Sequence, residues 1–147
     1  MRYGRLYGYK NSFDDSFRSN MVNNTYIQFK HENDTWLRTL DYFQQENIYL
    51  KNRIAQIAKT NINSIFLNAL EAYQTRFVDK DAVISILRYD IMLQNDLIED
   101  NKSGETPALN NRIIQNQNKL REDMVRMERE FNRLKFDFNN YLSEAFQ

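Results

Sequence analysis

The sequence predicts an all-α fold: an antiparallel up-down bundle of three long helices with coiled-coil-like packing. Two observations lead to it. Residues 9–103 contain neither glycine nor proline, the two strongest local breakers of regular structure. Apolar residues also recur at alternating spacings of three and four, the seam that helices crossing at a shallow angle require. At 147 residues the chain suits one domain with a sizeable core.

The first helix is expected over about 25–59. Thr25 followed by Gln28 fits a capping box, in which each side chain bonds the other residue's backbone N–H. The seam then runs Phe29, Asn33, Trp36, Leu40, Phe43, Asn47, Leu50, Ile54, Ile57. Residues 1–24 stand apart as an N-terminal segment rich in aromatic and basic residues, either flexible or docked on the bundle. After the polar Lys59-Thr60-Asn61, with Asn61 or Asn63 as the cap, a second helix is expected over 62–100. Its seam is Phe66, Leu70, Tyr73, Phe77, Lys80, Ile84, Leu87, Ile91, Gln94, Ile98. A rival reading breaks this helix at residues 79–81 to give four shorter ones. Gly104 can end it in the left-handed conformation. Thr106 then Pro107 reads as a cap followed by proline at the first helical position, where no backbone N–H is needed. The third helix, over 107–146, carries Ile113, Leu120, Met124, Met127, Phe131, Leu134, Phe138, Tyr141 and Ala145.

Short connections make sequential helices antiparallel neighbours. Folding the chain back at its two turns brings Phe43 and Leu50, Tyr73 and Phe77, and Phe131 and Leu134 toward shared layers, an aromatic-rich centre. The polar seam positions Asn33, Asn47, Lys80, Gln94 and Gln117 are expected to set register or to reach solvent, with a polar ligand pocket as the alternative. Lys80 can extend its ammonium past the core, and Asp41 is its expected partner.

Charge balances at 20 basic against 20 acidic residues, so no overall field draws the chain to nucleic acid or anionic lipid. Residues 61–106 are net acidic and residues 1–24 net basic. Without cysteine there is no thiol chemistry. No apolar run approaches the roughly 20 residues of a membrane span, and the N-terminus has no apolar core of a signal peptide. The cytoplasm is the expected location.

A di-iron bundle centre needs inward carboxylates and Glu-x-x-His pairs. The single histidine, His31, is in no such motif, and a solvent-facing or capping role is expected for it. The serines lie outside nucleophile-elbow motifs, and no glycine-rich phosphate loop occurs. The acidic pairs, such as Asp79 with Asp81, read as solvated helix faces. No catalytic residue, metal ligand or cofactor is therefore assigned. Arg2, Arg5, Lys10 and Arg18 interleave with Tyr3, Tyr7, Tyr9, Phe13 and Phe17, a pattern that can bind single strands. Asp14 and Asp15 dilute its charge, and nucleic acid is not the expected partner.

Surplus apolar residues point instead to an interface. Residues 83–98 are apolar on more than one face, with Val83, Ile86, Met92, Leu93 and Leu97 beside the seam. The opening of the third helix offers only Ile113 and Ile114 to cover them. The N-terminal segment, through Tyr3, Tyr7, Phe13, Phe17 and Met21, or a second copy of the chain could supply the rest. Tyr42 and Tyr49, seven apart and off the seam, are either ordinary surface tyrosines or a partner-facing stripe. A homo-oligomer is expected, a dimer foremost.

Residues 31–61, with His31-Glu32, Trp36, Tyr42-Phe43 and the Lys59-Thr60-Asn61 turn, resemble the first helix of a group of short bacterial helical-bundle proteins of unassigned function. Residues 73–91 resemble that group's second helix. The resemblance implies a helical bundle and carries no activity. The function expected is a non-catalytic scaffold or interaction module. A small-ligand or nucleic-acid binding protein, using the polar seam or the N-terminal segment, is the alternative.

Overall fold

The computed structural model describes the backbone of residues 2–146 and the side chains of residues 16–146. It contains three helices: α1 (Arg2–Lys59), α2 (Ser64–Asp100) and α3 (Pro107–Ala145). Each packs against the next in an antiparallel all-α bundle. α2 continues unbroken through residues 79–81. α2 and α3 have 37 and 39 residues, or about 55–60 Å each at 1.5 Å per residue.

α1 corrects the expected start at Thr25, because it continues N-terminal to that residue. The Thr25 hydroxyl does not cap. It donates to the Met21 carbonyl at 3.0 Å, the back-bond of a threonine inside a helix. The side chains of Arg2, Tyr3, Arg5, Tyr7, Tyr9, Lys10, Phe13, Asp14 and Asp15 lie outside the described residues.

The two turns work by different means. Asn63 caps α2, its Oδ1 accepting from the N–H groups of Ile65 and Phe66 at 3.0 and 3.1 Å. Asn61 Nδ2 donates back to the Ile57 carbonyl at 2.8 Å. These contacts build a turn without glycine or proline. At the other end, Gly104 takes φ +71°, the left-handed region that favours glycine. Thr106 makes no side-chain cap, which corrects the expected capping role. Its backbone N–H instead donates to Asn101 Oδ1 at 3.2 Å. Asn101, almost fully buried, also donates to the Tyr26 hydroxyl at 3.1 Å. That hydroxyl donates in turn to Asn110 Oδ1 at 2.6 Å. Burial pushes the Tyr26 phenol upward, and its bond with Asn101 partly offsets the rise.

The main core runs from Leu40 to Ile54 on α1, Leu70 to Ile91 on α2 and Leu120 to Leu142 on α3. Aromatic rings occupy its middle. Phe131 meets Phe43 of α1 at 5.0 Å and Phe77 of α2 at 6.2 Å, both edge-on, the preferred arrangement for ring quadrupoles. Phe77 also meets Phe138 at 5.6 Å, and Phe138 meets Tyr73 at 5.2 Å. The expected central layer is therefore present, and it extends along α3 toward the α1–α2 turn. In the last turn of α3, Leu142 is buried and Ala145 is exposed, where the heptad had put Tyr141 and Ala145 on the seam. The reason is aromatic packing: Tyr141 stacks on Phe66 at 5.9 Å and 13°, leaving the core position to Leu142.

A smaller core closes the other end, with Tyr26, Phe29, Ile98 and Ile113 buried and Val22, Leu97 and Leu109 packed on them. N-terminal to Val22, α1 has passed the level of the α2–α3 turn, and Phe17 and Met21 are exposed. Cover for the end of α2 thus comes from Val22, Tyr26 and Phe29.

Phe131→Ala should lower unfolding free energy by about 3–5 kcal/mol, the range for removing a buried phenyl ring. Chemical denaturation monitored at 222 nm measures it, and a loss below about 1 kcal/mol contradicts the central role of this ring. Gly104→Ala should lose about 1 kcal/mol or more. The added methyl must take positive φ and would also sit 3.0 Å from Val22 Cγ1.

Candidate functional site

The polar seam residues do not all behave alike. Asn33, Asn47, Gln94 and Gln117 are buried, and Lys80 is not. Lys80 pairs with Glu130 of α3 at 3.2 Å, and Asp41 pairs with Arg88 of α2 at 2.7 Å. The expected Lys80–Asp41 pair is thereby corrected. Lys80 lies on the α3 side of α2, whereas Arg88 and Asp81 lie on the α1 side. Asp81 accepts from Asn47 and from Lys51, and Asn47 also donates to the Phe77 carbonyl at 2.8 Å.

Gln94, Gln117 and Asn33 form a directional relay of amides across all three helices. Gln94 Nε2 donates to the Ile113 carbonyl at 2.8 Å and to Gln117 Oε1 at 3.0 Å. Gln117 Nε2 donates to Asn33 Oδ1 at 2.9 Å and to Glu32 Oε1 at 2.7 Å. Asn33 Nδ2 donates to Asn95 Oδ1 at 2.8 Å. Arg121 closes the network, its Nε reaching both Glu32 oxygens at 3.0 and 2.9 Å while its guanidinium lies 5.5 Å from the centre of the Phe29 ring. Every relay oxygen has a donor except Gln94 Oε1, which is buried and unpartnered. Asn95 and Arg121 were not singled out from the sequence, and Glu32 entered it only beside His31. They lie off the apolar seam, and only the register of three helices brings them together.

The expected interface residues fall into separate places. Val83 packs on the main core and Leu97 on the smaller one, so intramolecular packing absorbs much of both. Ile86, Met92 and Leu93 are 60%, 52% and 42% exposed. Ile86 and Leu93, one heptad apart, lie on the α3 edge of α2. Met92 lies one heptad before Glu99, which bonds Lys30 of α1 at 3.2 Å, and so sits on the α1 edge. Paired with Lys30 and then Lys102, the Glu99 carboxyl titrates below the usual range. Tyr89, 55% exposed, stands between the two edges. Together Ile86, Tyr89, Met92 and Leu93 make an apolar band across the outer face of α2.

Tyr42 and Tyr49 are exposed on a different face. Tyr42 lies against Glu46, and Glu46 pairs with Lys135 of α3 at 3.1 Å, placing the tyrosines on the α3 side of α1. They do not join the α2 band.

Beside the band, α2 and α3 enclose a groove of about 330 Å³. Leu93, Leu97, Leu120 and Gln94 are among the residues that line it. His31 is exposed on α1. Among the described residues no group of three or more His, Cys, Asp or Glu is placed to hold a metal ion. No helix there is long and apolar enough to cross a membrane. Comparison with protein-family models, curated proteins and solved structures finds no significant match to this chain.

Gln117→Leu keeps the side-chain volume but removes both the acceptor for Gln94 and the donor to Asn33. Gln94 then loses one of its two acceptors and the Asn33 oxygen loses its donor, each worth about 1–3 kcal/mol at most. The expected outcome is a fold that is still helical by circular dichroism but melts markedly lower. An unchanged melting temperature would show that the relay contributes nothing.

Proposed function

We propose that this chain is a non-catalytic helical-bundle interaction protein of the cytoplasm that self-associates through the outer face of α2. The observation that supports the reading is the exposed band of Ile86, Tyr89, Met92 and Leu93. The core closes without these side chains, because α2 buries Ile84, Leu87, Ile91 and Gln94 on its opposite face. Large apolar side chains clustered on an outer face mark interaction surfaces on soluble domains. A two-fold axis across such a band sets the same patch against itself, the commonest way for a chain to pair with its copy. Membership in the group of short bacterial bundle proteins belongs to this proposal, carried by His31-Glu32, Trp36 and Tyr42-Phe43.

Light scattering on the full chain at tens of micromolar tests the reading. A dimeric mass is expected for the natural sequence and a monomeric mass for Ile86→Lys combined with Leu93→Lys, with helicity unchanged. Tyr42→Ser combined with Tyr49→Ser, on the other face, should leave the dimeric mass intact. A monomeric natural chain sinks self-association.

A second reading, small-ligand binding, is favoured by the groove between α2 and α3, which the polar seam residue Gln94 helps to line.

A further inference from the structure

We propose that the face of α1 and α3 turned away from α2 pairs antiparallel with the same face of a second copy, about a two-fold axis at the level of the Glu46–Lys135 ion pair. The inference goes beyond pairing through the α2 band and does not depend on it.

The seam between α1 and α3 is the open one of the bundle. Their backbones stand farther apart than either stands from α2, and two cavities lie along the gap. One, of about 340 Å³, is lined by Trp36, Met124 and Val125 together with Glu128. The other, of about 460 Å³, is lined by Leu142 and Phe146 together with Arg53. The outer lines of side chains that border this seam carry no charge. On α1, every seventh residue gives Gln28, Thr35, Tyr42, Tyr49 and Gln56. On α3, every seventh residue from 111 to 139 gives four asparagines and Val125. The next line of α3, one residue on, is basic at four of its five positions, so the depletion belongs to this face. Depletion of charge with enrichment in tyrosine marks a contact surface, and tyrosine supplies large contact area at low entropy cost.

Charged side chains stand between these outer lines, and their order identifies the partner. Glu32 pairs with Arg121, and Glu46 with Lys135. Arg53 and Glu128 are exposed and make no ion pair among the described residues. Glu128 lies one heptad before Lys135, and Arg53 lies one heptad after Glu46. The two open charges, opposite in sign, therefore flank the Glu46–Lys135 pair at equal separations of about 10 Å along the axis. Tyr42 and Tyr49 flank Glu46 in the same way, four residues before it and three after. A patch with this symmetry is complementary to itself.

An axis lying across the helices at this level sets α1 on α1 and α3 on α3. It brings Arg53 of each copy to the partner's Glu128, and Tyr42 to the partner's Tyr49. A copy placed with its helices parallel would part Arg53 from Glu128, so charge selects the antiparallel arrangement. Exposed ion pairs contribute little each, and the contact is a weak one, with a dissociation constant between about 0.1 and 1 mM.

The test is sedimentation equilibrium on the full chain carrying Ile86→Lys and Leu93→Lys, which removes any pairing through the α2 band. The mass should rise from monomer toward dimer as concentration increases to about 1 mM. Arg53→Glu or Glu128→Arg alone should weaken this pairing by about tenfold or more, and the two together should restore it. A mass that stays monomeric to about 1 mM overturns the proposal, as does equal pairing in the single and combined variants. A second measurement leaves α2 unchanged. The chain has no cysteine, so Gln56→Cys carries a single spin label, and the labelled chain is mixed with isotope-labelled natural chain. Intermolecular NMR line broadening is expected at Thr35 and Val125, the antiparallel level of position 56. Broadening that is absent there, or confined to the α2 band, overturns the proposal.

Discussion

Gln117 sits at the centre of the bundle with no solvent to turn to, and the partners it requires hold the three helices in one register. An unpaired buried amide is penalised more than a paired one is rewarded. Sliding any helix by one heptad would keep apolar side chains against apolar ones along much of the seam. It would also part Gln117 from Asn33 or Gln94, so the polar layer discriminates where the apolar layers do not. The Asn47–Asp81–Lys51 cluster repeats the same constraint between α1 and α2 further along.

Around this layer the packing is uneven. The backbones of α1 and α3 approach one another much less closely than either approaches α2, so α2 is the central helix. Long and aromatic side chains span the wider seam. Phe43 meets Phe131, Arg121 reaches over Phe29 to Glu32, and Lys135 reaches Glu46. Exposed ion pairs of this kind contribute little each, and the ring contacts supply most of the attraction. At one end, Tyr26 and Asn101 fasten α1 to the α2–α3 turn. Position 26 lies seven residues before Asn33 on the same seam, so its burial follows from extending the heptad backward by one step, to the start of the helix the sequence predicts.

The outer surface follows from the same arrangement. Because α2 is flanked on both sides, its buried face is broad and takes in part of Val83 and Leu97. What remains is the narrower band of Ile86, Tyr89, Met92 and Leu93, bordered by the groove over Gln94. The interface expected from the apolar surplus is in this way divided: two of its residues turn inward, three stay on α2, and the tyrosines of α1 face elsewhere. A heptad count reports which residues leave the seam. It does not report which neighbouring helix receives them.

The sequence by itself determined helix content, the ends of α2 and α3 to within a few residues, the identity of nearly all core positions and the polar turn near Lys59-Thr60-Asn61. These depend on local propensity and on period, which any short window of chain carries. Only the tertiary structure decided that Thr25 lies inside a helix, that Leu142 replaces Tyr141 in the last core layer, and that Lys80 pairs with Glu130. It also decided that three amides and Glu32 meet in one relay with a single acceptor left open. Those outcomes depend on the azimuth and stagger of three helices at once, a relation between distant segments that no local spacing encodes.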